Sequence, residues 1–425
     1  MTKINRTLKL LLLSIIIMLL PTGCWGARET DQMAYILVMG IDKGQNNLVE
    51  VTFQIAKPQN IGGGEGGGGG QGANTEIVSV EAASLFGALQ LANAFVSREL
   101  TFIHNKVVIV SEDIAREGMS KYINPLVRSR EIRRTTFLMV SKGKARDFIE
   151  KNKPVLDRNP SRQFETLMQG NFITGIIPYG TIHEFYINIK SPGSEPFTNL
   201  VGVQKEGEPG SKKQGGDDKI MNEVAYLPGE IPRKGGNKIE VIGLAAFRSD
   251  KLAGFLNGAE TRYHQMVTGR FRSAIFTFPD PQRDDRKNII VMEIKKGSNP
   301  TVKVTLTGDK PLIEVNLVLE GEIVSIQSGI NYEATDKIGE LQSNIERLIS
   351  GEVLKVIRKT QQEFKSDIFG FGEYTRQYFW VWKEWEKFDW LKRYPEAEVK
   401  VTTSLAIRRT GLMTKTVPTH SGWGE

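Results

Sequence analysis

At 425 residues the chain is too long for one ordinary core, and its 40% apolar and 25% charged content suits a globular body of two or three domains. The formal net charge is +7, three of those charges are Lys3, Arg6 and Lys9, and the mildly basic remainder fits an anionic membrane face without calling for nucleic acid. A single cysteine, Cys24, excludes an internal disulfide, CxxC redox chemistry and cysteine-rich zinc sites.

Lys3, Arg6 and Lys9 precede an apolar run, residues 10–20, broken only by Ser14 and ended by Pro21, Thr22, Gly23 and Cys24. A charged start, an apolar stretch of roughly 7–15 residues and a small-residue site make a secretory signal. The run is shorter than the about 20 residues that a spanning helix needs. Gly23 before Cys24 resembles a bacterial lipobox, although Pro21 stands at −3 where leucine is usual and Leu20 at −4. That resemblance implies cleavage after Gly23 and a diacylglyceryl group, with palmitate-type chains, on the Cys24 thiol. Each buried methylene contributes about 0.8 kcal/mol, and two chains anchor stably where one does not. The alternative is a retained signal-anchor with an unmodified thiol. Both place the body on the outer face of a membrane.

Residues 33–41 are almost wholly apolar and predict a strand buried on both faces. Asp42-Lys43-Gly44 follows as a turn, the aspartate capping it and Gly44 taking a backbone angle that other residues avoid. Val49, Val51, Phe53 and Ile55 alternate with Glu50, Thr52 and Gln54, which predicts a half-buried strand and so a hairpin. Residues 61–72, IGGGEGGGGGQG, lack the lysine and hydroxyl residue of a P-loop and are expected as a surface loop. A short strand is expected near 77–80. Ala82, Leu85, Phe86, Leu89, Asn93 and Val96 fall at helical spacing. A strand at 106–110, a helix at 119–129, a strand at 136–140 and a helix at 145–150 complete an α/β domain over 24–200. Helices are expected at 161–170 and within 182–189, and polar residues 205–219 place a linker or long loop at 201–221.

A middle α/β domain over 222–290 is expected to hold strands at 239–247 and 251–256, turning at Arg248-Ser249-Asp250. A helix starts at Asn257 and carries Glu260, Tyr263 and His264, and strands follow at 275–278 and 289–294. A C-terminal α/β domain over 291–412 takes strands at 302–306, 313–320 and 398–407. It also holds the longest helix, 337–365, where Ile338, Leu341, Ile345, Leu348, Ile349, Val353, Val356, Ile357 and Phe364 recur mostly at steps of three and four. Gly351 is its weak point, costing about 1 kcal/mol relative to alanine. Residues 413–425 are expected as a flexible tail. The expected fold class is therefore mixed α/β (α+β) and multi-domain, with three sheet-and-helix domains behind a lipoprotein signal peptide, 1–23.

His104, His183, His264 and His420 are far apart, and neither HExxH nor GxSxG occurs. Asp217-Asp218 and Asp284-Asp285 sit in polar, turn-like stretches and are expected to be solvated. No catalytic, metal-binding or cofactor-binding residue is assigned. Arg128, Arg130, Arg133 and Arg134 form the densest basic cluster; they suit lipid headgroups, an acidic partner or a solvated face. Tyr378, Phe379, Trp380, Trp382, Trp385 and Trp390 form an aromatic cluster. Trp382 and Trp385 share a helix face and Trp380 points elsewhere, which fits a core, or a core on one face with a docking patch on the other.

Seven stretches in order carry a resemblance: GCW (23–25), GIDKG (40–44), HNKVVIVSEDIAREG (104–118), RSREIRRTTFLMVSKGKARDFI (128–149), GLAAFRSDKLAGFLNGAETR (243–262), SDIFGFGE (366–373) and IRRTGL (407–412). Together they resemble the C-subunit lipoproteins of spore germinant receptors, the Ger(x)C family, over nearly the whole chain after Cys24. The resemblance implies three mixed α/β domains and a non-enzymatic subunit without a cofactor. It implies a lipid anchor on the outer face of the spore inner membrane. It also implies assembly with two integral membrane subunits: an A subunit with cytoplasmic and spanning parts, and a B subunit like an amino-acid transporter. Such assemblies respond to nutrients and start germination. Two other readings are a solute-binding lipoprotein of an uptake system, which needs a cleft between two lobes, and a cell-wall enzyme, for which no paired-carboxylate motif is visible.

Overall fold

The computed structural model describes residues 8–15, 29–57, 75–154, 156, 160–204, 223–283, 288–306, 310–411, 413 and 415–416. Cys24 and its expected cleavage site, the 61–72 glycines, residues 205–219, Asp284-Asp285, His420 and most of the expected tail lie outside them.

The described strands gather into a nine-stranded and a five-stranded sheet. The first takes β1 (Met33–Lys43), β2 (Val49–Ala56), β3 (Thr75–Ala82), β4 (Glu99–Thr101), β5 (Val107–Ser111), β6 (Phe137–Lys142), β7 (Phe197–Val203), β8 (Ile239–Arg248) and β9 (Lys251–Leu256), in the order β3-β2-β1-β5-β6-β7-β8-β9 with β4 beside the start of β1. Strands β1, β5, β6 and β7 run parallel. Parallel strands are covered on both faces, which is why VVIVS and FLMVS are nearly continuous apolar runs with no alternation. The antiparallel pairs β2-β3 and β8-β9 close the two edges.

The second sheet takes β10 (Ser273–Pro279), β11 (Ile289–Lys296), β12 (Thr301–Thr305), β13 (Leu312–Ile326) and β14 (Glu398–Arg409). β12 and β11 pair with successive halves of β13, and β14 runs parallel to it. The helix Thr335–Lys359 packs on β14 and buries Leu341, Ile345, Ile349, Val353, Val356 and Ile357. It also guards the sheet: Glu346 Oε1 accepts from Leu405 N at 2.7 Å and Gln342 Oε1 from Ile407 N at 3.0 Å. Those N–H groups would otherwise offer an unpaired edge to another strand. The space around Gly351 is open, so its cost is that of propensity alone.

The helix ends in a π turn, Thr360–Phe364, which replaces the expected α-helical continuation to 365. The wider turn swings the Phe364 ring onto Gly254 of β9, where a Cβ would lie 2.2 Å from a ring carbon. Leu244, Ala246 and Leu256 of the first sheet share one apolar cluster with Ile290, Met292 and Ile313 of the second.

The chain is thus mixed α+β and multi-domain, but its strands form two sheets. The β8-β9 hairpin, expected in a middle domain, pairs with β7, and residues 201–203, expected in the linker, are the end of β7. Strand β11 runs across the expected 290/291 boundary. Hairpin spacing shows that β8 and β9 pair with each other; it does not show that β8, apolar on both faces, has a second neighbour. Strand β2 is buried at every position, not half-buried, because its polar residues have partners: Arg146 Nη1 meets Glu50 at 2.9 Å and Thr52 Oγ1 meets Ser79 Oγ at 2.8 Å.

Candidate functional site

GIDKG does more than turn the chain. Asp42 is 1% exposed, and its two carboxylate oxygens accept from Ala145 N at 2.7 Å and Arg146 N at 2.8 Å. It is the N-terminal cap of the helix Ala145–Lys151, whose own first flanking residue, Lys144, makes no side-chain cap. Burial lifts the Asp42 carboxyl above its ordinary range, against the two backbone donors. Gly40 gives this helix room: a Cβ there would lie 2.8 Å from Ile149 Cδ1. The expectation for Gly44 is corrected. The left-handed residues of the turn are Asn46 and Asn47, while Gly44 lies against the Leu48 carbonyl, 3.0 Å from where a Cβ would be.

SDIFGFGE forms a second joint. Asp367 is fully buried, and its oxygens accept from Phe369 N at 3.2 Å, Gly370 N and Gly372 N at 3.0 Å, and Trp390 Nε1 at 2.7 Å. Its carbonyl accepts from Glu195 N at 2.9 Å, and Ser366 Oγ donates to the carbonyl of Phe247 on β8. The glycines are small because they must be. A Cβ on Gly372 would fall 2.2 Å from Trp390 Cδ1, and one on Gly193 would fall 2.6 Å from Trp385 Cζ2. Burial raises Asp367 to about 6, and burial raises Glu195 to about 7. Both carboxyls are fastened to donors.

The histidines stay apart. His264 is fully buried between Phe197 and Phe369, its Nε2 is 3.0 Å from the Ile368 carbonyl, and burial lowers its pKa to about 4. His104 stacks edge-on against Tyr35, and the His183 N–H bonds the Arg134 carbonyl. Among the described residues no group of three or more His, Cys, Asp or Glu side chains converges as metal ligands. The cavity lined by Met266, Phe271, Lys296 and Leu317 has a volume of about 10 Å³, room for one water.

Arg262 and Gln265 are two buried polar residues that no local motif marks. Arg262 is buried on the Phe276 ring, with Nε 2.7 Å from the Thr174 carbonyl and Nη1 3.0 Å from the Ile275 carbonyl. Burial lowers it to about 10. Gln265 Nε2 donates to the Gly175 carbonyl. Their only sequence signal was their helix, which starts at Asn257 as expected and which the structure shows closed by an Asn257–Glu260 capping box.

The surface carries two unusual patches. Trp385 and Trp390 are core, their indoles bonded to Thr375 Oγ1 at 2.9 Å and to Asp367. Trp380 is 95% exposed, and Tyr374, Tyr378, Val381 and Trp382 are exposed beside it. The aromatic cluster is thus core on one face and bare on the other. Arg128, Arg130, Arg133 and Arg134 are all exposed, and none forms an ion pair with a described residue.

These features define a multi-domain α+β protein whose distinctive motifs fasten its elements together and whose free chemistry lies on its surface. The model described as "Spore germination protein N-terminal domain" matches residues 26–203, and "Spore germination B3/GerAC like, C-terminal" matches residues 242–411. The chain belongs to this Ger(x)C family of spore germination proteins. It is 27% identical over 416 residues to spore germination protein KC of Bacillus subtilis (strain 168), covering 95% of each chain. It is 22% identical over 398 residues to spore germination protein B3 of the same organism, covering 92% of this chain and 95% of that one. The crystal structure of the GerBC protein aligns with a TM-score of 0.49 at 19% identity, covering 87% of this chain and 96% of that one.

Proposed function

We propose that this chain is the lipid-anchored, non-catalytic C subunit of a nutrient germinant receptor. It is exported, cut after Gly23 and acylated on Cys24, and it stands on the outer face of the spore inner membrane. There it associates with an A and a B integral membrane subunit and helps to trigger germination, with no cofactor and no nucleic acid. The observation that carries this reading is the pair of family models in order, reaching from residue 26 to residue 411. The basic, apolar, cysteine-ended leader supports the anchor. Among the described residues no helix is long and apolar enough to cross a membrane.

The direct test is metabolic labelling of sporulating cells with a fatty-acid analogue. The wild-type chain is expected to take up label and Cys24→Ala to take up none, remaining at precursor size. Equal labelling of both chains refutes the anchor. Specific, saturable binding of a small solute by the anchored protein, with no loss of germination when the chain is deleted, would favour an uptake lipoprotein instead.

A further inference from the structure

The arginine cluster is tied to the place where the N-terminal segment joins the body. Glu131, the acid within RSREIRR, turns inward: its Oε2 accepts from Thr101 Oγ1 at 3.1 Å and from Phe102 N at 3.0 Å. Ile132 is buried and Ser129 and Glu131 are half-buried, so the four arginines are the most exposed side chains of the run. The segment that Glu131 grips is the end of β4. At the start of β4, Glu99 N donates to the Gln32 carbonyl at 2.9 Å, one residue before β1 begins. The described residues just before β1 therefore meet the body on the flank that holds the arginines.

That flank is also apolar. Phe95 is 61% exposed, and Phe86 and Ile103 are each 40% exposed. Phe86 stands edge-on to Phe102 at 6.3 Å, Ile103 follows Phe102 in the chain, and Phe95 lies in the turn that Asn93 Oδ1 fastens to Leu100 N at 2.9 Å. Exposed aromatic and aliphatic side chains joined to an arginine run through β4, with the exposed acids Glu29, Asp31 and Glu99 at the joint, make an amphipathic surface suited to the headgroup region of a bilayer.

We infer that this flank rests on the outer leaflet of the anionic membrane that holds the anchor, with Phe86, Phe95 and Ile103 at the headgroup boundary and the arginines on lipid phosphates. The inference rests on the proposed reading for the side of the membrane. Its support is the length of the tether: Cys24 to Gln32 spans at most ~28 Å when fully extended. An acyl chain at Cys24 holds this flank near the leaflet and leaves the rest of the body free to stand away from it. Near an anionic surface each arginine strengthens contact about fivefold.

The test uses the full lipidated chain in vesicles of phosphatidylglycerol and phosphatidylcholine, with no other protein present. Cys24 is the sole cysteine, so an acylated parent chain takes up no thiol-reactive dye and Phe95→Cys takes it up at one place. An NBD probe at Phe95→Cys is expected to shift to the blue and to be quenched by shallow spin-labelled lipids. A probe at Ser404→Cys, exposed on β14, is expected to show neither effect. Arg130→Gln with Arg133→Gln is expected to lower the ratio of shielded to unshielded probe by about 25-fold, two factors of five, with an unchanged melting curve to show that the fold persists.

A probe at 95 that stays in water, or equal shifts at 95 and 404, overturns the inference. So does a shift that needs the A or B subunit in the vesicle, which would assign the flank to a protein. Dye uptake by the parent chain would instead show a free Cys24 thiol and so the failure of the acyl anchor. The probe is then read in the Cys24→Ser chain held by its uncleaved N-terminal helix, and the same outcomes decide.

Discussion

Replacing Asp367 with alanine removes the acceptor from four donors at once. Phe369 N and Gly370 N are partly open to water and can be rehydrated, whereas the bond from Gly372 N and the Trp390 indole are buried. Each buried donor left without a partner costs about 1–3 kcal/mol, so the substitution is expected to cost ~2–6 kcal/mol. Asp367→Asn keeps the shape but not the chemistry. Its single oxygen serves two donors, and its NH₂ faces the other two whichever way the amide is turned, so it also destabilises, by about 1–3 kcal/mol. The assay is urea unfolding followed by the fluorescence of buried Trp385 and Trp390, and the readout is the midpoint at constant slope. A loss below about 1 kcal/mol for Asp367→Ala would refute the view that this carboxylate holds the joint together.

Asp42→Ala removes the cap of the helix Ala145–Lys151 and is expected to cost about 1–2 kcal/mol, read from the same urea curves; Ser at this position should recover part of it. Gly372→Ala drives a methyl into the Trp390 ring and the Gly193 carbonyl and is expected to cost about 1–3 kcal/mol by thermal melting. Glu346→Ala with Gln342→Ala bares the β14 edge and is expected to raise light scattering on mild heating, with a smaller change in midpoint. Burial lifts Asp367 to about 6 and Glu195 to about 7 and drops His264 to about 4. Between about pH 4.5 and 6 the folded chain then holds two carboxyl protons that the unfolded chain lacks, and lacks one imidazole proton that the unfolded chain holds. Stability from these three groups therefore rises by ~1.4 kcal/mol per unit as pH falls, and His264→Gln should steepen the rise; melting temperatures across this window check both.

Local pattern was enough for much of the fold. The β1-β2 hairpin, the helix start at Asn257 and the apolar stripe of the Thr335–Lys359 helix depend on neighbours within a few residues. What stayed hidden depends on partners far along the chain. Strand β7 carries Asn199 inside the sheet, where it bonds the Leu138 and Gly180 carbonyls, so its polar letters do not look like a buried strand. Glu50 looked solvent-facing because Arg146 is distant in sequence, and Asp42 looked like a turn residue for the same reason. The candidate surface was half visible. The arginines announce themselves by composition, but the bonds from Thr101 and Phe102 to Glu131, which tie the run to β4, are a tertiary fact.

The most direct measurement is nutrient-triggered germination of spores carrying this chain as wild type, as Cys24→Ala or not at all, with the A and B subunits followed in the isolated inner membrane. The account expects the wild-type chain to co-purify with both membrane subunits. It also expects the deletion to abolish the response to the matching nutrient, and Cys24→Ala to reduce both the chain's membrane content and the response. Normal germination without the chain, or a wild-type chain recovered free of the membrane and of both subunits, would contradict it.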